Sequence, residues 1–291
     1  MFVAGIDGGG THTRLELRGE DNQLLRREKF GPFNLNSIGE GAFRQLLRQV
    51  FSHCGTMADC KSLCVGGAGI SNPRVGQILE EELENAGFSG RWKLCGDQEI
   101  ALRGAMDGPG VAVIAGTGSI CFGKNAAGQT ARSGGYGHLI DDGGSGYALG
   151  RDVLSAAVRT ADGRGNCPET LKAVYAKLQA SSPADIVSFV YAPNTDKAAI
   201  AQFAAVALEQ EASGESRQIL ARGAEELADM VAAVQKQLGL EGCSIALLGG
   251  LLSSDNPYRR LVCQHLTRLG VPMAPEHDAL WGAAQMAWEL L

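Results

Sequence analysis

Apolar positions near the start of the chain fall into short runs with a strand-like period. Phe2 to Ile6 is almost wholly apolar, as in a buried strand, and Thr13, Leu15 and Leu17 then alternate with Arg14, Glu16 and Arg18. The glycines between them form a tight turn joining two strands. Gln23 to Phe30 reads as a third strand, and Gly31 to Asn36 as a loop. Ala42, Phe43, Leu46, Leu47, Val50 and Phe51 have helical spacing and predict a helix over Gly41–Cys54. Ser62–Val65 is a short strand running into Gly66-Gly67-Ala68-Gly69. Pro73–Gly87 is a helix with Pro in its first turn and Gly near its end. Trp92–Cys95 is a strand ending at Gly96-Asp97, and Gln98–Met106 a helix.

The same order then restarts. Gly110–Ala115 is a strand, Gly116-Thr117-Gly118-Ser119 a second glycine and hydroxyl turn, and Ile120–Gly123 and Thr130–Gly135 are strands. Cys243–Leu248 is a strand ending in Gly249-Gly250. Asn256–Leu269 is a helix, Val271–Ala274 is extended, and Asp278–Leu291 is a helix. The pattern predicts an α/β protein built from duplicated βββαβαβα units. Its second unit is interrupted by a helical insertion over 152–240, rich in Ala, Leu, Glu and Gln. Domains are expected at 1–107, joined by the closing helix 278–291, and at 108–277.

Composition narrows the partners. Apolar residues make up 45% and charged residues 20%, which describes a globular chain. The net charge is −6 and no basic stripe stands out, so nucleic acid is not an expected partner. The N-terminus enters a strand at once, with no leader pattern, and no apolar run approaches a membrane span. The eight cysteines include no CxxC pair and suit free thiols in a reduced cytoplasm.

The candidate chemistry lies in the two glycine turns. Gly8, Gly9 and Gly10 remove side chains from one surface, so backbone N–H groups can approach an anion closely. Thr11 and Thr13 add hydroxyl donors. Asp7 cannot bind phosphate itself but can hold a magnesium ion through water. No Lys-Ser/Thr follows, and a strand rather than a helix comes next, which excludes the Walker loop and the Rossmann fingerprint. An ordinary glycine-rich hairpin remains the alternative for this stretch alone, although its recurrence in the second unit raises it above that.

Five stretches, taken in order, resemble the superfamily of sugar kinases, actin and heat-shock chaperone ATPases. They are Ile6–Thr11 (first phosphate loop), Gly96-Asp97 (catalytic aspartate segment), Gly116–Ser119 (second phosphate loop), Leu248–Leu251 (adenosine segment) and Asp278–Ala284 (closing helix). Gly134–Gly146 further resembles the N-acetylglucosamine kinase and BadF/BadG/BcrA/BcrD-type ATPase branch. Many relatives there carry Gly-Asp-Glu-Gly-Ser where this chain has Asp141-Asp142-Gly143-Gly144-Ser145, and Trp where it has Tyr136.

The resemblance implies a two-lobed actin-like ATPase (ribonuclease H-like) fold. It also implies an ATP- and Mg2+-dependent kinase that transfers the γ-phosphate to a hydroxyl, O6, of an amino sugar such as N-acetylglucosamine or glucosamine. ATP would meet Asp7, Gly8, Gly9, Gly10, Thr11, Thr13, Gly116, Thr117, Gly118, Ser119, Gly249 and Gly250. Asp97 would be the catalytic base, or else a helix N-cap. The sugar would meet Asn34, Asn36, Gly67, Ala68, Asp97, Thr117, Gly135, Tyr136 and Asp142. The alternatives are an Asx turn for the asparagines and a helix cap for Asp142. His12 and His138 read as bystanders, Trp281 and Trp288 as core. A cytoplasmic homodimer is expected. The rival readings are an activator ATPase of a 2-hydroxyacyl-CoA dehydratase, which needs an iron–sulfur cluster held by paired cysteines, and a non-catalytic sugar sensor.

Overall fold

The computed structural model describes residues 1–67 and 69–291. It contains two compact units, one formed by 1–108 with 275–291 and the other by 109–274.

The first unit is built on β1 (Phe2–Gly8), β2 (Thr13–Arg18), β3 (Leu24–Phe30), β4 (Cys60–Gly67) and β5 (Arg91–Gly96), in the order β3-β2-β1-β4-β5. The first three strands are antiparallel; β1, β4 and β5 are parallel. Successive side chains of a strand face opposite ways. Ala4, Ile6, Leu63 and Val65 therefore pack with α1 (Leu35–Ser52) and α2 (Pro73–Asn85), while Val3, Cys64 and Cys95 pack with α3 (Asp97–Ala105) and α11 (Ala279–Trp288). Small residues let α11 sit close. A side chain at Gly5 would strike the Ala284 backbone, and one at Gly282 would strike α3.

β2 shows its alternation, but its charged face is not a solvated one. Glu16 is fully buried and accepts hydrogen bonds from Arg18 (2.5 Å) and Arg27 (2.6 Å). Helix α1 begins six residues earlier than its apolar spacing predicts. Its first turn is set off by Gly39, which adopts φ 79° and ψ 161°, a conformation that side chains disfavour. The regular helix follows that break.

The second unit repeats the sheet. β6 (Gly110–Ala115), β7 (Ser119–Lys124) and β8 (Thr130–Gly134) form an antiparallel meander, and β9 (Ser244–Leu248) and β10 (Val271–Met273) add parallel strands, giving β10-β9-β6-β7-β8. Read from β8, this is the order of the first sheet read from β3. The insertion consists of α4 (Gly146–Ala161), α5 (Pro168–Leu178), α6 (Pro183–Val190), α7 (Lys197–Ala201), α8 (Ala204–Glu209) and α9 (Gly214–Leu238), with α10 (Pro257–Leu266) after β9. Among the described residues, no helix is long and apolar enough to cross a membrane.

Candidate active site

In the first unit, three parallel strands end side by side on glycines. Gly8, Gly67 and Gly96 are register partners across β1, β4 and β5. Ligands of open α/β sheets gather outside such carboxyl ends. Two of these glycines have a packing role that the sequence did not reveal. The ring of Phe33, fully buried, lies where a side chain at Gly8 or Gly67 would stand. The Phe33 N–H also donates to the Gly9 carbonyl (3.0 Å). Thr13, expected to donate to phosphate, is fully buried and donates its hydroxyl to the Gly31 carbonyl at 2.8 Å. Both contacts fasten the 31–36 loop to the glycine turn. Gly10, Thr11 and His12 are the exposed members of that turn, and nothing lies within 4 Å of a side chain built at Gly10.

Asp7, near the end of β1, faces Arg14 on β2. Arg14 Nη2 and Nε both donate to Asp7 Oδ2, at 2.5 and 3.1 Å, and Nη1 donates to Asp278 at 3.2 Å. Asp278 caps α11 by accepting the Trp281 N–H at 2.9 Å. The charge alternation on β2 was the only sequence signal for Arg14. Asp97 opens α3, yet it is not the cap of that helix. Gly96 occupies the cap position, and Glu99 accepts the Gly96 N–H at 3.4 Å. Among the described residues, the Asp97 carboxylate takes a single hydrogen bond, from the Gln98 N–H (3.0 Å). Loss of hydration raises its pKa above the ordinary carboxylate range; the Gln98 N–H opposes this and the Asp7 charge adds to it. Apart from the Gln98 N–H, no hydrogen-bond donor among the described residues claims this carboxylate.

Asn34 caps α1 in an Asx turn, its Oδ1 accepting the Asn36 N–H at 3.1 Å. Asn36 is exposed, and its Oδ1 accepts from Asn72 Nδ2 at 2.9 Å. Asn72 was not singled out from the sequence, although an Asn directly before a helix-opening Pro is a cap signal. Ala68, expected to line the sugar site, lies outside the described residues.

In the second unit the second glycine turn is laced to the acidic segment. Gly146 N–H donates to Gly116 O (2.8 Å), Tyr147 N–H to Thr117 O (3.2 Å) and Ser119 Oγ to Gly143 O (2.6 Å). Ser119 is thus buried and committed, whereas Gly116, Thr117 and Gly118 are half-exposed. The Asp142 carboxylate lies 2.9 Å from where a Gly118 side chain would begin. Asp142 is 4% exposed and adopts φ 63°, a left-handed conformation uncommon for a residue with a side chain. It is not a helix cap: Ser145 caps α4, accepting from the Ala148 N–H at 3.1 Å.

Tyr258 on α10, buried and unnoticed in the sequence, donates its hydroxyl to Gly144 O at 2.6 Å and braces the turn that carries Asp142. An acidic residue at 143, as in many relatives, would displace the Glu226 carboxylate, which stands 2.9 Å from the would-be Cβ of Gly143. Asp141 accepts the Tyr136 N–H at 3.0 Å and stabilises the 135–141 loop, in which Tyr136 is exposed with Arg132 over its ring. Gly135 has φ 76°. Gly249, at φ 87°, presses on the Ala115 backbone, and Leu251 N–H donates to Ala115 O (3.1 Å), pinning the adenosine segment to the end of β6. Nothing lies within 4 Å of a side chain built at Gly250.

Among the described residues, no three His, Cys, Asp or Glu side chains gather into a metal cage. One or two carboxylates suit Mg2+, which keeps several waters and takes its other oxygens from phosphate. Asp7, with Asp97 near enough to feel its charge, fits that role. All eight cysteines are free, six of them buried.

The chain belongs to the BadF/BadG/BcrA/BcrD ATPase family, which matches residues 4–287. It is 30% identical over 300 residues to the N-acetylmuramic acid/N-acetylglucosamine kinase of Clostridium acetobutylicum, with 98% of each chain covered. It is 31% identical over 259 residues to the N-acetyl-D-glucosamine kinase of Dictyostelium discoideum, covering 83% of this chain and 81% of that one. The fold is similar to the crystal structure of a Chromobacterium violaceum protein provisionally assigned as an N-acetylglucosamine kinase (TM-score 0.77, 24% identity, 98% of each chain). The α/β architecture is the actin-like ATPase fold of these sugar kinases.

Proposed function

We propose that the protein is a kinase that uses MgATP to phosphorylate a hydroxyl, O6, of an amino sugar of the N-acetylglucosamine type. Asp97 carries this reading: a strand-end carboxylate with a raised pKa, relieved of capping duty by Glu99. Relatedness to N-acetylglucosamine-type kinases over 98% of the chain supports it.

Phosphoryl transfer asks a protein mainly for positioning and charge stabilisation. In the first unit, Asp97 accepts the proton of the sugar hydroxyl as its oxygen bonds to the γ-phosphorus and the bond from that phosphorus to the bridging oxygen of the departing ADP breaks; Asp7 would hold Mg2+. The backbone N–H groups around Gly9, Gly10 and Thr11 donate to phosphate oxygens, and Asn36 meets the sugar. In the second unit, Gly116, Thr117 and Gly118 serve phosphate, Gly249 and Gly250 the adenosine, and Asp142 accepts from sugar hydroxyls. Mg2+, when bound, would supply positive charge against the phosphates. Glucosamine is the alternative acceptor.

The activator reading needs cysteines free to hold a cluster, and six of the eight are buried, four of them in strands. The insertion exposes Val187 and Tyr191 and offers a surface for a homodimer; its proposed setting is the cytoplasm. An ADP-release screen with MgATP over N-acetylglucosamine, glucosamine, N-acetylmuramic acid and plain hexoses tests the function. Turnover with an amino sugar is the expected result. Inactivity with all of them, together with a brown protein absorbing as an iron–sulfur centre, would overturn it.

A further inference from the structure

Asn72 and Asn36 are joined side chain to side chain, and the chemistry of the contact fixes which way each amide points. Asn72 caps α2. The Arg74 N–H reaches its side chain at 3.0 Å, and only an oxygen can accept from a backbone N–H. Asn72 Oδ1 is therefore the capping atom, and its Nδ2 is the group that faces Asn36 at 2.9 Å. A nitrogen donor there requires Asn36 to present Oδ1 to it. The Asn36 Nδ2, with its two N–H donors, is left directed away from Asn72.

The frame around the pair is stiff. Arg74, two residues into α2, donates twice to Glu40, at 3.0 and 2.8 Å, and Arg44 donates to the same carboxylate at 3.0 and 2.9 Å. Arg74 thereby ties the start of α2 to α1 beside the asparagine contact, and Arg44 holds Glu40 in place.

We propose that Asn72 is a positioning residue that locks the Asn36 amide with its NH2 outward, so that the sugar is read at this point by a donor and must offer an acceptor oxygen. The proposal rests on the reading of Asn36 as a sugar contact. It predicts selection for a hydroxyl or carbonyl oxygen at that position of the sugar and against an ammonium group.

Asn72→Asp is the informative substitution. Aspartate caps a helix as well as asparagine does, so α2 keeps its cap. A carboxylate cannot donate, however, and its second oxygen draws the Asn36 NH2 inward, leaving Oδ1 to face the sugar. The experiment is calorimetry with N-acetylglucosamine, with melting curves and MgATP turnover, on wild type, Asn72→Asp, Asn72→Ser, Asn36→Ala and the Asn36→Ala/Asn72→Asp double variant. Serine also caps but is too short to lock the amide.

The expected result is a Kd raised about tenfold by Asn72→Asp, the size of one lost hydrogen bond with its partner facing the wrong group. Asn72→Ser should raise it less, both variants should melt like wild type, and Asn72→Asp should add nothing once Asn36 is alanine. A Kd unchanged in Asn72→Asp while Asn36→Ala weakens binding would overturn the proposal and leave the Asn36 contact standing. An unchanged Kd in Asn36→Ala would remove both. An equal loss on either background would show that Asn72 acts by another route, which also overturns it. Should Asn72→Asp melt low, wild-type affinity in a stable Asn72→Ser would do the same.

Discussion

Arg14 and Asp7 are register partners across the β1–β2 ladder, and one guanidinium grips one carboxylate oxygen through two nitrogens while its third reaches Asp278. The proposed magnesium residue is thus held by a side chain that also touches the cap of α11. Groups that orient a metal-associated carboxylate typically contribute 10- to 100-fold to metal affinity or activity. Arg14→Met should raise the Mg2+ concentration needed for half-maximal turnover by about that range, and alter the sugar Kd little. A Mg2+ titration at fixed ATP reads it; an unchanged requirement would make the pair a purely structural tie.

Asp97→Asn should lower turnover by about 10²- to 10⁴-fold, the usual contribution of a general base. It should not lower the melting temperature. A carboxyl whose folded pKa lies above its unfolded one takes up protons more readily when folded, so its ionised form costs stability above that pKa and the cost disappears on acidification. At neutral pH the amide removes this cost, and a helix capped by Glu99 does not miss the aspartate. A stable variant with turnover within a few-fold of wild type would end the catalytic assignment.

The same shift sets a pH dependence. Asp97 accepts a proton only when ionised, so kcat/KM for the sugar should fall as pH drops through its raised pKa. The acid limb should sit above the ordinary carboxylate range, whose reference for aspartate is about 3.9. A rate profile at saturating MgATP checks this, and a limb at or below that reference would contradict it.

The first glycine turn should divide under mutation. Gly10 has open space beside it, so Gly10→Val should fold and melt normally and yet weaken nucleotide binding by at least about tenfold, roughly 1.4 kcal/mol. Gly8→Ala drives a methyl into the Phe33 ring and should cost about 1–3 kcal/mol of stability, as overpacked cores do. Denaturant melts and nucleotide titrations of the two variants separate the roles. Normal affinity in a folded Gly10→Val would sink the phosphate-loop assignment.

Asp142→Gly should uncouple stability from binding. A side-chain-bearing residue at φ 63° is strained by about 1–3 kcal/mol, and glycine relieves that strain. The variant should unfold no more easily than wild type while losing about 1–3 kcal/mol of sugar affinity and little nucleotide affinity. Calorimetry with each ligand decides; equal losses for both would mark Asp142 as a brace of the turn.

Much of this protein could be read from residue spacing, and the reason is local. β2 declares itself because Leu15 and Leu17 alternate with Arg14 and Glu16, and α2 because Pro73 and Gly87 bracket an apolar stripe. What could not be read depends on tertiary neighbours. Nothing in the glycine turn reveals that Phe33, 25 residues after Gly8, needs two glycines to lie flat on the strand ends, or that Gly31 accepts from Thr13. The start of α1 was missed because Gly39 interrupts the apolar spacing that marks a helix. The duties proposed for Asp97 and Asp142 separate from capping only in the folded protein, where Gly96 holds the cap position of α3 and Ser145 that of α4.

The position of α11 has a consequence for the order in which the protein comes into being. Its residues, 279–288, cover Val3, Cys64 and Cys95 on a sheet whose strands all precede residue 97, and the whole of 109–274 is translated in between. Chains generally fold from the N-terminus as they leave the ribosome. Here the earliest strands emerge with one apolar face covered only in part, by α3, and it stays so until α11 arrives, while the second unit already has every element it needs. Birth order and folding order are therefore reversed: the unit that begins the chain is the last to be finished.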